Sequence, residues 1–208
     1  MTGRHALAAG LMAWALLVSG GSSAQDVDQR LGAIRTLRGD FVQEVRDNRG
    51  ALKERAEGSF ALARPGRFDW HYQVPAEQRL VSDGTTVWLY DVDLEQVTRR
   101  QLGEALSATP LALLAGTGKV GQTHRVELLP AQSGLDWVRL VPLASDAEFT
   151  EVLMAFRGAS PAVMELHDRL GQKTVISLLR VELNVPIPST AFQFEPPEGV
   201  DVIGLGGT

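Results

Sequence analysis

From Leu37 to Asn184 the chain is cut into short segments, and turn residues do the cutting. This punctuation constrains the fold more than any other feature. Segments of such length with alternating side chains form antiparallel strands, not long helices. Leu37–Asp47 is turned by Asn48-Arg49-Gly50, and Lys53–Ala63 returns. Arg64-Pro65-Gly66 makes the next break, since proline fixes φ and glycine allows a positive one. Arg67–Val74 alternates cleanly: Phe68, Trp70, Tyr72 and Val74 face one way, Arg67, Asp69, His71 and Gln73 the other. Asp83-Gly84 is a two-residue hairpin signal between Arg79–Ser82 and Thr85–Tyr90, and Glu95–Arg99 follows. Arg125–Leu129, Asp136–Val141, Glu148–Arg157, Ala162–Arg169 and Lys173–Asn184 repeat the style. About eleven evenly spaced strands predict one large curved antiparallel sheet or barrel.

Two stretches break the rhythm. Asp26–Ile34 places Val27, Leu31 and Ile34 at helical spacing behind Asp26 and Asp28, whose charge suits a helix N-terminus, and predicts a helix of about three turns. Gln101–Ala115 has no alternation and, apart from Thr109, no β-branched residue. There Thr109-Pro110 reads as an N-cap and first helical position, Leu111 to Ala115 as the helix and Gly116 as its stop; Leu102, Ala105 and Leu106 form a helical turn just before it. A helix apolar nearly all round needs apolar surface on both sides, so this insert is expected to cover something.

Several strands are apolar at successive positions: Val87-Trp88-Leu89-Tyr90, Val152-Leu153-Met154-Ala155-Phe156 and Val175-Ile176-Ser177-Leu178-Leu179. Such strands need cover on both faces or an apolar hollow on one, and few residues remain for helices.

The first residues read as a leader. Arg4 is a short positive region, Leu7–Val18 is apolar apart from Gly10, and Ser22 and Ala24 sit at the −3 and −1 positions of a cleavage site. The apolar run is shorter than the roughly 20 residues of a spanning helix. Residues 1–24 are therefore expected to be a secretory signal peptide, and 25–208 a single domain. The chain has no cysteine, so neither a disulfide nor a lipobox supports this domain. The formal charge is −5 with no basic stripe, which argues against nucleic acid, and no second apolar segment is long enough for membrane insertion.

Catalytic chemistry finds little support. There is no G-x-S-x-G elbow, and a hydrolase reading lacks its nucleophile. His71, His124 and His167 are scattered, without the close pairing of metal ligands, so no metal, cofactor or catalytic residue is expected; Glu165 and Asp168 beside His167 read as a solvated sheet face. Gly116-Thr117-Gly118-Lys119-Val120-Gly121 matches G-x-G-x-x-G, but a helix precedes it and a strand follows, the wrong context for a dinucleotide site; it reads as a flexible loop.

Ala63-Arg64-Pro65-Gly66-Arg67-Phe68-Asp69-Trp70-His71 resembles the Arg-Pro-x-x-Phe-x-Trp segment of the LolA family. Further pieces agree in order. Leu80-Val81-Ser82-Asp83-Gly84 with Val87-Trp88-Leu89-Tyr90 resembles its Ser-Asp-Gly hairpin and aromatic strand, and Leu94-Glu95-Gln96-Val97 its Glu-Gln step. Thr109-Pro110-Leu111 is similar to the start of its lid helix, and Phe192-Gln193-Phe194-Glu195-Pro196-Pro197-Glu198-Gly199-Val200 to its Phe-x-Phe-x-Pro-Pro-x-Gly-Val ending. The match runs in register over about 170 residues.

The resemblance implies a mainly β (α+β) fold: an unclosed antiparallel β-barrel whose concave side is covered by a lid of short helices, with acyl chains held beneath. It implies a monomeric periplasmic carrier that takes acylated lipoproteins from the inner-membrane complex LolCDE and delivers them to the outer-membrane receptor LolB. A lipid- or lipoprotein-sensing module on the same fold is the alternative. By the same resemblance, Arg64 holds the lid shut by hydrogen-bonding lid carbonyls. Pro110, Leu111, Leu113 and Leu114 belong to the lid helix, and Leu31, Phe41, Phe60, Phe68, Trp70, Trp88, Tyr90, Met154 and Phe156 line the hollow. Two features differ from relatives: the lid is aliphatic where they often carry an aromatic, and the short Gly-rich tail is expected to lack any extra C-terminal strand.

Overall fold

Alternation becomes strands almost residue for residue. A computed structural model of the chain describes residues 23–103, 111–116 and 118–204. The leader up to residue 22 and Pro110 lie outside these residues, as do the side chains of Leu111 and Ala112. The strands are β1 (Thr36–Arg46), β2 (Leu52–Ala63), β3 (Arg67–Val74), β4 (Gln78–Asp83), β5 (Thr86–Asp91), β6 (Gln96–Gln101), β7 (His124–Leu128), β8 (Asp136–Pro142), β9 (Phe149–Arg157), β10 (Ser160–Asp168), β11 (Lys173–Leu183) and β12 (Asp201–Gly204). The helices are α1 (Ser23–Gly32), α2 (Leu111–Ala115) and α3 (Val120–Thr123).

All twelve strands form one sheet in the order β12-β6-β5-β4-β3-β2-β1-β11-β10-β9-β8-β7. It is unclosed, with β12 at one edge and β7 at the other. Neighbours pair antiparallel except β12, which lies parallel to β6. The expected unclosed sheet of about eleven strands is present with one more, and this twelfth strand corrects the expectation of a tail without an extra strand: Asp201 to Gly204 covers the backbone of β6, an edge that would otherwise stay unpaired.

Pairing register sorts the side chains into rows across β1–β5. One inward row holds Leu37, Leu62, Phe68, Ser82 and Val87; the next Phe60, Trp70, Leu80 and Leu89; the third Phe41, Tyr72, Gln78 and Asp91. On the other half, Val138, Met154, Met164 and Ile176 align, as do Leu140, Val152 and Leu166. The apolar residues of these rows, apart from the exposed Leu89 and the half-buried Tyr72 and Leu80, form one buried cluster with Val27 and Leu31 of α1, Ile34, Leu114 and Ala115 of α2, and Val120 of α3. The helices therefore lie on the inward face of the sheet.

The opposite face is covered by a different device. After β11 the chain crosses it, and a 3-10 turn at Ser189–Phe192 packs on β3 and β4. Phe192 is buried beneath the Arg67 guanidinium, and Phe194 packs against Trp88 and Tyr90 with ring centroids 6.3 and 5.9 Å away. On β5, Val87 is thus buried inward and Trp88 and Tyr90 are covered outward, whereas Leu89 stays exposed.

Candidate functional site

Arg64 leaves the end of β2, where Arg64-Pro65-Gly66 turns the chain into β3. Its guanidinium reaches two helix ends at once. Nη1 donates to the Leu31 carbonyl near the end of α1 at 2.6 Å, and Nη2 to the Gly116 carbonyl just past α2 at 3.3 Å. Helix C-terminal carbonyls lack intrahelical donors and carry partial negative charge, so a planar cation with five N–H groups suits the place. The Gly66 amide donates to the Ala115 carbonyl at 2.8 Å beside it. Gly66 has φ +74, and a Cβ there would meet Leu102 at 2.7 Å. The turn is thus docked against both ends of the lid segment. Burial pushes the Arg64 guanidinium below its usual range, with the charge of Asp28 opposing; it stays a cation at any physiological pH.

Asp28 adds a second tie. Its carboxylate accepts the Val120 amide at 2.6 Å, linking α1 to the first turn of α3. Asn184, in the left-handed region at φ 55, accepts the Arg35 amide through Oδ1 at 2.7 Å and donates from Nδ2 to the Ala33 carbonyl at 3.1 Å. Arg30 pairs with Asp136 of β8 at 2.9 Å and lies over the Phe156 ring. Four polar contacts thus fasten α1: to the lid exit, to α3, to the end of β11 and to the far side of the sheet. Asn184 and Arg30 were not singled out from sequence, and Asp28 was read only as a charge at the helix N-terminus.

The structure brings Phe41, Phe60, Phe68, Trp70, Met154 and Phe156 together on the inward face, with Leu31 and Leu114 above them from the helices and Leu113 packed against them half-buried. Trp70 stacks against Phe41 and Phe60, with centroids 4.3 and 5.2 Å apart. These side chains were expected to line an open hollow. In this conformation they fill it: all except Leu113 are at most 4% exposed. Apolar surface left facing an empty space would forfeit dispersion contacts, so the side chains close onto one another beneath the cover. Beside α1 the cover and the β7–β8 rim leave a groove of about 580 Å³, lined by core residues Val27 and Val138 and by Arg30, Leu128, Asp136 and Trp137.

Trp88 and Tyr90 are corrections. Register puts them on the outward face with Val81 and Val97, beneath Phe194, because Val87 and Leu89 take the inward positions of β5. His71 and His167 face outward too, beside Glu77 at 2.9 Å and Glu151 at 3.6 Å, away from the interior. The glycine-rich segment is not wholly a loop: Gly118 leads into α3, where Gly121 lies against Ala24 of α1.

Residues 32–195 match the family described as "Outer membrane lipoprotein carrier protein LolA". An outer-membrane lipoprotein carrier protein of Bordetella bronchiseptica is 40% identical over 184 residues, covering 88% of this chain and 87% of that one. A protein of the same description from Methylococcus capsulatus is 38% identical, covering 96% of each. Among solved structures, a LolA superfamily protein from Nitrosomonas europaea shares the fold at a TM-score of 0.50 and 13% identity, over 84% of this chain and 99% of that one.

Proposed function

Because this chain belongs to the LolA family of outer-membrane lipoprotein carriers, we propose that it carries acylated lipoproteins through the periplasm, from LolCDE to LolB, after removal of residues 1–24. The observation that supports this most is the one guanidinium bridging the carbonyls of Leu31 and Gly116 above an apolar interior. A cover fastened by a few polar contacts over a face of hydrocarbon and aromatic side chains is a container that opens.

The energies fit a carrier. Each buried CH₂ is worth roughly 0.8 kcal/mol, so an acyl chain of about 15 carbons gains more than about 10 kcal/mol on leaving water. A pocket offering that much would not let go. Here the interior closes on its own side chains, so cargo must displace Leu114 and its neighbours and break the Arg64 hydrogen bonds. The closed state is a competitor that lowers cargo affinity and makes delivery possible. Each charge-assisted bond contributes about 1.5–3 kcal/mol, enough to tilt the balance by tenfold or more.

Arg64→Leu tests this. The variant is expected to load cargo from LolCDE but to pass it to LolB at least about tenfold more slowly, as followed by pull-down of carrier-bound lipoprotein against time. Wild-type transfer rates would remove the latch role. A mature wild-type protein that extracts no lipoprotein from inner-membrane vesicles supplied with LolCDE and ATP would remove the carrier reading itself.

A further inference from the structure

Trp70 is 3% exposed, yet its indole N–H has no hydrogen-bond acceptor among the described residues. Buried donors are almost always satisfied, and an orphan carries a desolvation cost that calls for a partner. The Tyr72 hydroxyl is the neighbouring polar group and is influenced by this N–H. Its own proton goes to Gln43 Oε1 at 3.1 Å, and its oxygen does not meet the Trp70 N–H in bonding geometry.

The place matters as much as the orphan. On this half of the sheet the inward rows grade from apolar to polar. The rows beginning at Leu37 and Phe60 are almost wholly apolar, whereas the third ends in Tyr72, Gln78 and Asp91. Gln78 donates to Asp91 at 2.8 Å, and Gln43 faces inward past Phe41. Trp70 stands in the last apolar row, one step from this polar margin. A molecule with hydrocarbon tails under the cover and a hydrated head at the margin puts its linkage groups at that boundary.

We infer that the Trp70 N–H is the donor for an acyl-ester carbonyl of the cargo, so that the pocket recognises the ester linkage and not hydrocarbon alone. An ester carbonyl fits the chemistry. It accepts a hydrogen bond, gives up little hydration on burial, and is joined directly to the chain. A phosphate or carboxylate would need a cation, whereas the rings stacked on Trp70 are those of Phe41 and Phe60. This inference rests on the carrier reading and names the part of the lipid that the pocket reads.

The test compares two lipopeptides that differ only in having palmitoyl esters or hexadecyl ethers on the glyceryl group, bound to wild-type protein and to Trp70→Phe, which keeps an aromatic ring and loses the donor. Wild type is expected to bind the ester form about tenfold more tightly, and the variant to bind the two alike. In wild type, the indole N–H resonance moves downfield with the ester form only, a readout that does not depend on the variant folding. Equal affinity of wild type for both, or a preference that survives in Trp70→Phe, overturns the inference and leaves the carrier reading standing. Binding of neither lipopeptide overturns both.

Discussion

Gly58 shows how little room the interior leaves. Phe41 and Tyr72 pair with it from either side, and their rings meet edge to face at 5.0 Å over the gap where a side chain would stand. A Cβ at Gly58 would run into the His71 carbonyl oxygen and come within 2.9 Å of the Phe41 ring. Gly58→Ala is therefore expected to cost about 1–3 kcal/mol, the range for overpacking, read as a lowered urea midpoint with unchanged slope. Asp83 supplies a pH-dependent counterpart. Burial acts to raise its carboxyl, but the amides of Thr86 and Thr85 and the Thr85 hydroxyl outweigh it and hold the group below its usual value. A folded-state value depressed below the unfolded one stabilises above the unfolded pKa of about 3.9, and the gain is lost as pH falls through the folded value. Asp83 is mostly solvated, so Asp83→Asn should cost less than about 1 kcal/mol at neutral pH, with the difference shrinking in unfolding titrations as pH falls below the unfolded pKa of about 3.9. At this scale sequence legibility was uneven. Arg64 was visible through its motif, but the ties made by Asp28 and Asn184 were not, because their partners lie 92 and 149 residues away. Trp88 and Tyr90 were misplaced for a related reason. Alternation says that they share a face, but with Val87 and Leu89 equally apolar it does not say which face.

Strand by strand, the sheet was legible because turn residues and alternation both mark the same boundaries. Arg67–Val74 is β3 without adjustment, and Asp83-Gly84 closes the β4–β5 hairpin as expected. What escaped was structure without periodicity. The 3-10 turn at Ser189–Phe192 and the four residues of β12 are too short to show a repeat, and α3 lies in a glycine-rich stretch that discourages a helix. The first two do consequential work on the outward face. The strap ending in β12 shields Val81 and Val97, both 0% exposed, on the face of the sheet turned from the helices. Phe192→Ala is expected to cost about 3–5 kcal/mol, as for other buried aromatics cut to alanine, and to raise Trp88 exposure to an aqueous quencher. A loss below about 1 kcal/mol would show that the strap only rests on the sheet.

For the molecule as a whole, the question is whether the cover moves as one body. The contacts of α1 suggest that it does: Arg64 joins it to the exit of α2, and Asp28 joins it to α3. Asp28 also acts electrostatically on Arg64, favouring its charged form, so the two ties are coupled through charge as well as through the helix. Asp28→Ala leaves the Val120 amide without its acceptor and removes that support. If the cover is one body, amides of α1, α2 and α3 should all exchange faster in this variant, and cargo should be retained longer, as for Arg64→Leu but more weakly. Because Asp28 acts on the Arg64 charge directly, combining the two substitutions should add less than the sum of each alone, with a coupling of about 0.5–3 kcal/mol, the range for residues sharing a network. Independent flaps predict something else: faster exchange in α3 only. Exchange rates and release half-times from wild type, the two single variants and the double variant separate these outcomes, because only a cover that opens as a unit carries the loss of the Asp28 tie into the amides of α2.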